Sequence, residues 1–235
     1  MSVPVIESIE RPPAEIVDAL SGASSADVHE AMGKTGAMAP EITPATDAST
    51  ICGPAVTVRL PPGDNMMIHA AAKLADPGDV LVIAASTTRA ATWGELATRN
   101  ALRNGLEGVV SDGNVRDVER VNDLNFPVFG RKVSQSGAIK KTPGPVNVPV
   151  SVGGVVVNPG DIVVGDADGV TMVPQDSTKR VVEALDRKMS QEDTVRERIE
   201  DGEELFDILF EEDGLDNHDV DVVEGPADYS SCPGR

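Results

Sequence analysis

The spacing of apolar and polar positions divides the chain into short strands and amphipathic helices. Residues 55–60 alternate and are β-branched, which is typical of a strand, and the apolar run 80–84 after Pro77-Gly78-Asp79 predicts a second strand. The same turn recurs at 159–161, which indicates a reused turn rather than a duplicated domain. Apolar positions three and four residues apart predict a long helix over 176–199. The other predicted elements are helices at 14–20, 26–32, 64–75, 117–124 and 204–210, and strands at 108–111, 126–129 and throughout 146–173.

Length, composition and cysteine content define the broad class of protein. The chain has 235 residues, enough for one large domain or two small ones, and 40% of them are apolar. No apolar run reaches the length of a membrane span, and the N-terminus lacks the pattern of a secretory signal. Cys52 and Cys232 cannot build a disulfide framework. We therefore expect a cytoplasmic protein without a membrane span.

Negative charge is concentrated toward the C-terminal end. The net charge is −19, and residues 200–235 hold thirteen acidic side chains and one basic side chain. Such a surface repels phosphate groups, so we expect no nucleic-acid partner. Few lysines beside many acids are typical of a halophilic host, although an acidic disordered tail explains the same composition. We predict a main domain over 1–202 and an acidic, partly disordered tail over 203–235.

The stretch 93–117, WGELATRNALRNGLEGVVSDGNVRD, holds the candidate chemistry. Glu95 lies three residues into a predicted helix, strand 108–111 ends at a Gly/Asn turn, and Arg116 and Asp117 open the next helix. Ligands of α/β proteins bind where strands end and helices begin. Arginine suits a carboxylate because its planar fork donates two parallel hydrogen bonds, and aspartate oxygens suit magnesium. The pattern therefore predicts a site for an organic acid beside a divalent metal.

Each of these residues also has a purely structural interpretation. Glu95 and Asp117 lie where a carboxylate caps a helix or complements its dipole. Arg116 could equally lie on a solvated surface. Spacing alone does not separate the two interpretations, so both stay open at this point.

Other chemical groups carry weaker signals. His69 lies in an alanine-rich helix and is predicted to be a packed or surface residue, and no histidine has metal-ligand spacing. Lys140 and Lys141 are Schiff-base candidates in a loop that gives no sign of burial. The chain has no GxGxxG, Walker, nucleophile-elbow or CxxC motif, which weakens the corresponding classes of function.

Seven short motifs follow one another in a fixed order. They are CGPAVTV (52–58), DN (64–65), PGDVLVI (77–83), WGEL (93–96), GVVSDGNVRD (108–117), FPVF (126–129) and PGDIVVGDADGV (159–170). In order and spacing they resemble the RraA-like family, which includes the 4-hydroxy-4-methyl-2-oxoglutarate (4-carboxy-4-hydroxy-2-oxoadipate) aldolases. The resemblance covers about 14–202. It implies an α/β fold of the swivelling β/β/α type, assembled as a homotrimer or homohexamer with sites between subunits.

The resemblance also implies an activity. It indicates a divalent-metal-dependent pyruvate aldolase that cleaves a 4-hydroxy-2-oxo acid to pyruvate and a carbonyl product and that decarboxylates oxaloacetate. Arg116 would bind the pyruvate carboxylate together with the backbone amides of Leu96 and Ala97. Asp117 would bind Mg²⁺ or Mn²⁺ directly.

Two further acids complete the implied site. Glu95 would hydrogen-bond metal-bound water and orient the molecule that shuttles the proton. Glu192, in the last long helix, matches an acid that reaches the metal waters of the neighbouring subunit. The chain has Glu95 where well-known aldolases have aspartate, and an extra methylene moves a carboxylate by about an ångström, enough to change the acceptor that is used.

A second class of function remains open. RraA itself inhibits a ribonuclease by protein contact and lacks the acidic partners that a metal needs. The chain would then be a non-catalytic, protein-binding regulator of ribonuclease activity. The presence of both Glu95 and Asp117 favours the enzyme.

Overall fold

The chain is a mixture of helices and strands, and the structure, a computed structural model, describes residues 2–85, 89–210, 214, 215 and 225. It contains two compact units, Met1–Lys188 and Met189–Arg235. The helices are α1 (Ala14–Ser21), α2 (Ser25–Ala31), α3 (Met66–Leu74), α4 (Glu95–Arg103), α5 (Val118–Asn122), α6 (Thr178–Glu200) and α7 (Leu205–Phe210). The strands are β1 (Thr43–Pro44), β2 (Ile51–Arg59), β3 (Val80–Ala84), β4 (Ala91–Trp93), β5 (Gly108–Ser111), β6 (Asn114–Val115), β7 (Val128–Gly130), β8 (Lys132–Val133), β9 (Val150–Val152), β10 (Val155–Val157), β11 (Ile162–Asp166) and β12 (Gly169–Val173).

A mixed sheet of seven strands forms the centre of the first unit, in the order β1-β7-β5-β3-β2-β11-β12. Strands β2, β3, β5 and β7 run parallel, and β1, β11 and β12 extend the sheet in antiparallel pairing. The central strand β3 is buried over its whole length. A strand that is covered on both faces has no polar positions, which explains why it is a continuous apolar run in the sequence.

Three apolar clusters cover this sheet. Helices α3 and α4 pack on one face, where Leu81 and Ile83 of β3 point. Strands β9 and β10 cover the other face, where Val80 and Val82 point. Helices α1, α2 and the first turns of α6 cover β11 and β12 through Leu185 and its neighbours. The prediction of a mixed α/β fold is confirmed.

Strand β2 is longer than the sequence pattern predicts. It begins at Ile51, four residues before the predicted start, and contains Gly53 and Pro54. These residues are typical of turns, but here they pair with β11 in an antiparallel ladder. A Cβ atom at Gly53 would lie 2.2 Å from the carbonyl oxygen of Gly78, so glycine permits the close approach of the neighbouring turn.

The two Pro-Gly-Asp turns are built in the same way. Asp79 Oδ2 accepts a hydrogen bond from the N–H of Asp76 over 2.7 Å, and Asp161 Oδ2 accepts one from the N–H of Asn158 over 2.7 Å. Their glycines have φ values of 91° and 88°. This shared geometry supports the interpretation of a reused turn.

A buried acid, Asp64, joins α3 to the loop that follows β8. Its Oδ1 accepts a hydrogen bond from the N–H of Met66 over 2.8 Å, and its Oδ2 accepts from the N–H groups of Lys141 and Thr142 over 2.9 and 2.8 Å. The cap predicted at this position is confirmed in part, since the same carboxylate also binds the distant loop. Burial opposes ionisation, but the three N–H donors outweigh it and hold the pKa of Asp64 below its ordinary value.

Replacing Asp64 by alanine is expected to lower the free energy of unfolding by about 3 kcal/mol, because buried N–H donors lose their acceptor. Denaturant unfolding at pH 7 measures the change, with exposed Asp168→Ala as the matched control. The wild-type contribution is full above the unfolded pKa of 3.8 and is lost as the pH falls through the lower folded value. A loss no greater than that of the control would show that Asp64 does not hold this loop.

The second unit contains the end of α6 and the short helix α7. Arg196 pairs with Glu192 and Asp193 along α6 at 2.8 and 2.6 Å. The rings of Phe206 and Phe210 stack with centroids 4.8 Å apart. Both predicted helices are confirmed, while most of the tail predicted to be partly disordered, 203–235, lies outside the described residues. In the described ranges, no helix combines the length and apolar character needed to cross a membrane.

Candidate active site

Two loops that are distant in sequence meet at the edge of a small parallel sheet. Strands β4, β6 and β8 pair in that order, with Trp93 opposite Val115. Because β4 and β6 run parallel, the residues that follow them, Gly94-Glu95 and Arg116-Asp117, leave the sheet side by side. The N–H of Arg116 donates to the carbonyl of Trp93 over 3.0 Å and fixes the two loops together.

The first loop leads directly into α4. The prediction that Glu95 lies three residues into a helix is wrong: α4 begins at Glu95, because Ala91–Trp93 pair with β6 as a strand. Buried Trp93 donates from Nε1 to Thr98 Oγ1 over 2.9 Å, and Thr98 Oγ1 donates to the carbonyl of Gly94 over 3.2 Å. The N–H groups of the first turn, at Leu96 and Ala97, therefore lie at a helix N-terminus, where an anion is favoured.

Asp117 has an unusual backbone conformation. Its φ and ψ angles are 60° and 32°, the left-handed region that few residues other than glycine adopt. It precedes α5, but its side chain makes no capping hydrogen bond to that helix. Instead its Oδ2 accepts a hydrogen bond from the N–H of Glu95 over 3.2 Å and lies 3.4 Å from Nε of Arg116. Asp117 therefore lies at the N-cap position of α5, but its side chain does not cap that helix.

Gly94 allows the second loop to approach this closely. A Cβ atom at Gly94 would lie 2.6 Å from Asp117 Oδ2, 3.0 Å from Arg116 Cγ and 3.1 Å from Arg116 Nε. Its φ of −171° is open to any residue, so only the missing side chain matters. The side chains of Arg116 and Asp117 therefore pack directly against the backbone of Gly94.

These loops border a cleft with about 180 Å³ of space. This volume suits a small organic acid. Arg116, Leu96 and Ala97, all three predicted as substrate-binding residues, line the cleft. The other lining residues are Asn65, His69, Ala91, Trp93, Gly94, Ala138 and Lys140.

A second positive charge, Lys140, lines the cleft together with Arg116. Lys140 lies on the loop whose backbone is held by Asp64, and His69 lies on α3. Partial burial lowers the pKa of His69, and the charge of Lys140 lowers it further. A lysine and an arginine in one small cleft suit a ligand that carries negative charge.

Glu95 and Asp117 do not line the cleft themselves but are adjacent in sequence to the lining residues Gly94, Leu96 and Arg116. The Glu95 side chain is 14% exposed and forms an ion pair through Oε1 with Nε of Arg99, one turn further along α4. The Asp117 side chain is one third exposed, with 33% of its surface accessible. The backbone of Glu95 contacts Asp117, while the Glu95 carboxylate is held by Arg99.

The acids of the site suit a hydrated divalent cation. Asp117 uses Oδ2 for protein contacts, which leaves Oδ1 for a metal. Among the described residues, no group of three or more His, Cys, Asp or Glu side chains converges on one point. Mg²⁺ keeps several waters and is commonly held by one or two carboxylates, so this donor set fits such an ion.

The structure brings together most of the residues that the sequence singles out. Arg116, Asp117 and the backbone of Glu95 meet at one point. Glu192 lies in the second unit and pairs with Arg196.

Sequence reasoning did not place Asn65, His69 or Lys140 in this cleft. It used Asn65 only as part of the DN motif, predicted His69 to be a packed or surface residue, and named Lys140 as a Schiff-base candidate. Asn65 immediately precedes α3 and His69 lies in its first turn, so the DN motif is a usable signal for both. The loop that carries Lys140 is positioned by Asp64.

The fold and this cleft define a class: an α/β protein with a small cleft lined by a helix N-terminus and by the arginine of an Arg-Asp pair. The chain belongs to the RraA-like family, since the family profile described as Aldolase/RraA matches residues 14–172. The implied swivelling β/β/α fold is thereby confirmed.

Known proteins of this family resemble the chain over most of its length. A protein of Halalkalibacterium halodurans, provisionally named 4-hydroxy-4-methyl-2-oxoglutarate aldolase, is 40% identical over 159 residues, which are 67% of this chain and 75% of that protein. An uncharacterized protein of Pseudomonas syringae superposes with a TM-score of 0.73 and 26% identity, covering 84% of this chain and 98% of the other. RraAS2 of Streptomyces coelicolor, described as an unusual member of the RNase ES inhibitor RraA family, superposes with a TM-score of 0.71 and 29% identity, covering 80% and 100%.

Proposed function

We propose that the protein is a divalent-metal-dependent pyruvate aldolase. It cleaves a 4-hydroxy-2-oxo acid to pyruvate and a carbonyl product, and it decarboxylates oxaloacetate as a side activity. The observation that carries this proposal is the cleft in which Arg116 faces the first turn of α4 beside Asp117. The aldolase name of the Halalkalibacterium halodurans relative supports it.

Arg116 and α4 bind the pyruvate end of the substrate. The guanidinium of Arg116 donates two parallel hydrogen bonds to a carboxylate, and the amides of Leu96 and Ala97 add donors at the positive end of the helix dipole. These contacts fix the plane of the 2-oxo acid in the cleft. Asp117, adjacent in sequence to Arg116, would hold Mg²⁺ or Mn²⁺ through Oδ1, the oxygen that makes no protein contact described above.

The bond between C3 and C4 breaks once the 2-oxo end is fixed. A divalent cation, when bound, polarises the 2-oxo group and stabilises the negative charge that develops on it. Glu95 would orient a water that takes up the proton of the 4-hydroxyl group as C4 becomes the carbonyl of the product. The electron pair of the broken bond stays with the pyruvate fragment, and the same water returns a proton to its C3 to give pyruvate. Oxaloacetate follows the same route, because loss of CO₂ leaves negative charge on the same fragment.

The other polar residues of the cleft favour a substrate with a second acidic group. Lys140 and His69 line the cleft together with Arg116. A second carboxylate on the substrate would lie against them. This arrangement agrees with an oxoglutarate-type substrate better than with a neutral sugar.

Pyruvate release from oxaloacetate, with and without EDTA, tests the function. We expect release that is lost on chelation and restored by excess Mg²⁺ or Mn²⁺, because the cation carries the developing charge. A coupled lactate dehydrogenase assay measures it. Release that is absent, or unaffected by EDTA, contradicts the proposal.

The second candidate is an RraA-type regulator that binds a ribonuclease. The likeness to RraAS2 of Streptomyces coelicolor favours it. Failure to release pyruvate under any metal condition, together with inhibition of a ribonuclease, would establish this alternative.

We also propose a homotrimer or homohexamer in which a neighbouring subunit closes the cleft. Leu96, at the cleft, is 77% exposed, and Ile139 beside Lys140 is 54% exposed. Apolar side chains this exposed are typical of surfaces that another protein covers. Glu192 of the neighbouring subunit would then complete the site.

A further inference from the structure

Glu95, whose neighbours Gly94 and Leu96 line the cleft, is held by a charge that the proposed function does not use. Glu95 Oε1 pairs with Nε of Arg99, four residues further along α4. Residues at this spacing are neighbours on a helix surface. Glu95 is largely buried at 14% exposure, whereas Arg99 is 59% exposed, so the arginine covers the acid from the solvent side.

This pair restrains a side chain that is otherwise mobile. Glutamate has three rotatable side-chain bonds, and freezing them costs conformational entropy when the carboxylate has to be in one place. The ion pair with Arg99 uses Oε1 and does not involve Oε2. Oε1 therefore anchors the carboxylate, while Oε2 can accept a hydrogen bond from a water.

We infer that Arg99 is a positioning residue for Glu95. It acts through the orientation of the Glu95 carboxylate and does not touch the substrate. This inference rests on the proposed function, in which Glu95 orients the water that carries the proton. Partners that orient such groups typically contribute about tenfold or more to turnover or metal affinity.

A double-mutant cycle tests the inference on the full chain. The variants are Arg99→Met, Glu95→Gln and the pair, with Arg99→Lys as the conservative rescue. Arg103→Met, an exposed arginine one turn further along α4, is the matched control. The measurements are kcat and KM for oxaloacetate, the Mn²⁺ affinity from the electron paramagnetic resonance signal of free Mn²⁺, and Tm.

We expect Arg99→Met to lower kcat about tenfold with an unchanged KM and Tm, and Arg99→Lys to recover most of the loss. Arg99→Met should also weaken Mn²⁺ binding relative to Arg103→Met. Neither effect should appear in the Glu95→Gln background, because the anchored carboxylate is gone.

The outcome separates this inference from the proposed function. Suppose that the wild-type enzyme is active and that Arg99→Met lowers kcat by the same factor whether position 95 is Glu or Gln. That result overturns the positioning role of Arg99 but leaves the proposed function intact. A wild-type protein that releases no pyruvate overturns the function. The Mn²⁺ affinities of the same variants then still test the role of Arg99. Equal Mn²⁺ affinities in Arg99→Met and Arg103→Met overturn the inference.

Discussion

Replacing Arg116 by alanine is expected to lower kcat/KM for pyruvate release by about a thousandfold. The side chain lines the cleft, and its guanidinium is the main partner of the substrate carboxylate in the proposed function. Truncating one partner of a hydrogen-bonded charge pair in a binding site typically costs 2–5 kcal/mol, and each 1.4 kcal/mol is about tenfold. The coupled pyruvate assay with Mn²⁺ measures the loss.

The control for this substitution is Arg103→Ala, which removes the same charge from the exposed last turn of α4. We expect it to retain wild-type turnover. Arg116→Lys should recover only part of the activity, because an ammonium group does not offer the planar fork. An unchanged kcat/KM in Arg116→Ala refutes the assignment of the cleft.

Elements with a long and regular pattern could be predicted from the sequence. The boundaries of β3 and β5 agree with the prediction because each is a short apolar run closed by turn residues. The amphipathic α6 was also evident. By contrast β4 and β6, which carry the site, have three and two residues. Runs this short have no detectable period, and they form only because they pair with each other and with β8.

The candidate residues could be named from the sequence, but their geometry could not. The resemblance singled out Glu95, Arg116 and Asp117. The sequence did not reveal that Asp117 has a left-handed backbone, or that its carboxylate binds the start of α4 rather than its own helix. A local pattern predicts a cap at Asp117. The observed contact depends on a parallel pairing of strands that are far apart in the chain.

Replacing Gly94 by alanine is expected to lower kcat by about a hundredfold while the fold is retained. A Cβ atom at this position would lie 2.6 Å from Asp117 Oδ2, closer than any van der Waals contact, and would also meet Arg116. Both contacts involve side-chain atoms, so the Arg-Asp pair moves aside without disturbing the backbone. A displacement of about an ångström at a reacting group can cost a factor of 10².

The control for Gly94→Ala is Gly22→Ala, at a position where an added Cβ meets nothing within 4 Å. Turnover and Mn²⁺ affinity should both fall in Gly94→Ala and stay unchanged in Gly22→Ala, while Tm stays near the wild-type value in both. A Tm that falls together with kcat would mean that Gly94 supports the packing of α4. Full activity in Gly94→Ala would mean that the contact between Gly94 and Asp117 does not position the metal ligand. The Gly94→Ala substitution leaves Arg116 and Asp117 in the chain and changes only the space beside them. It therefore tests whether the position of this pair, and not only its chemical groups, is needed for activity.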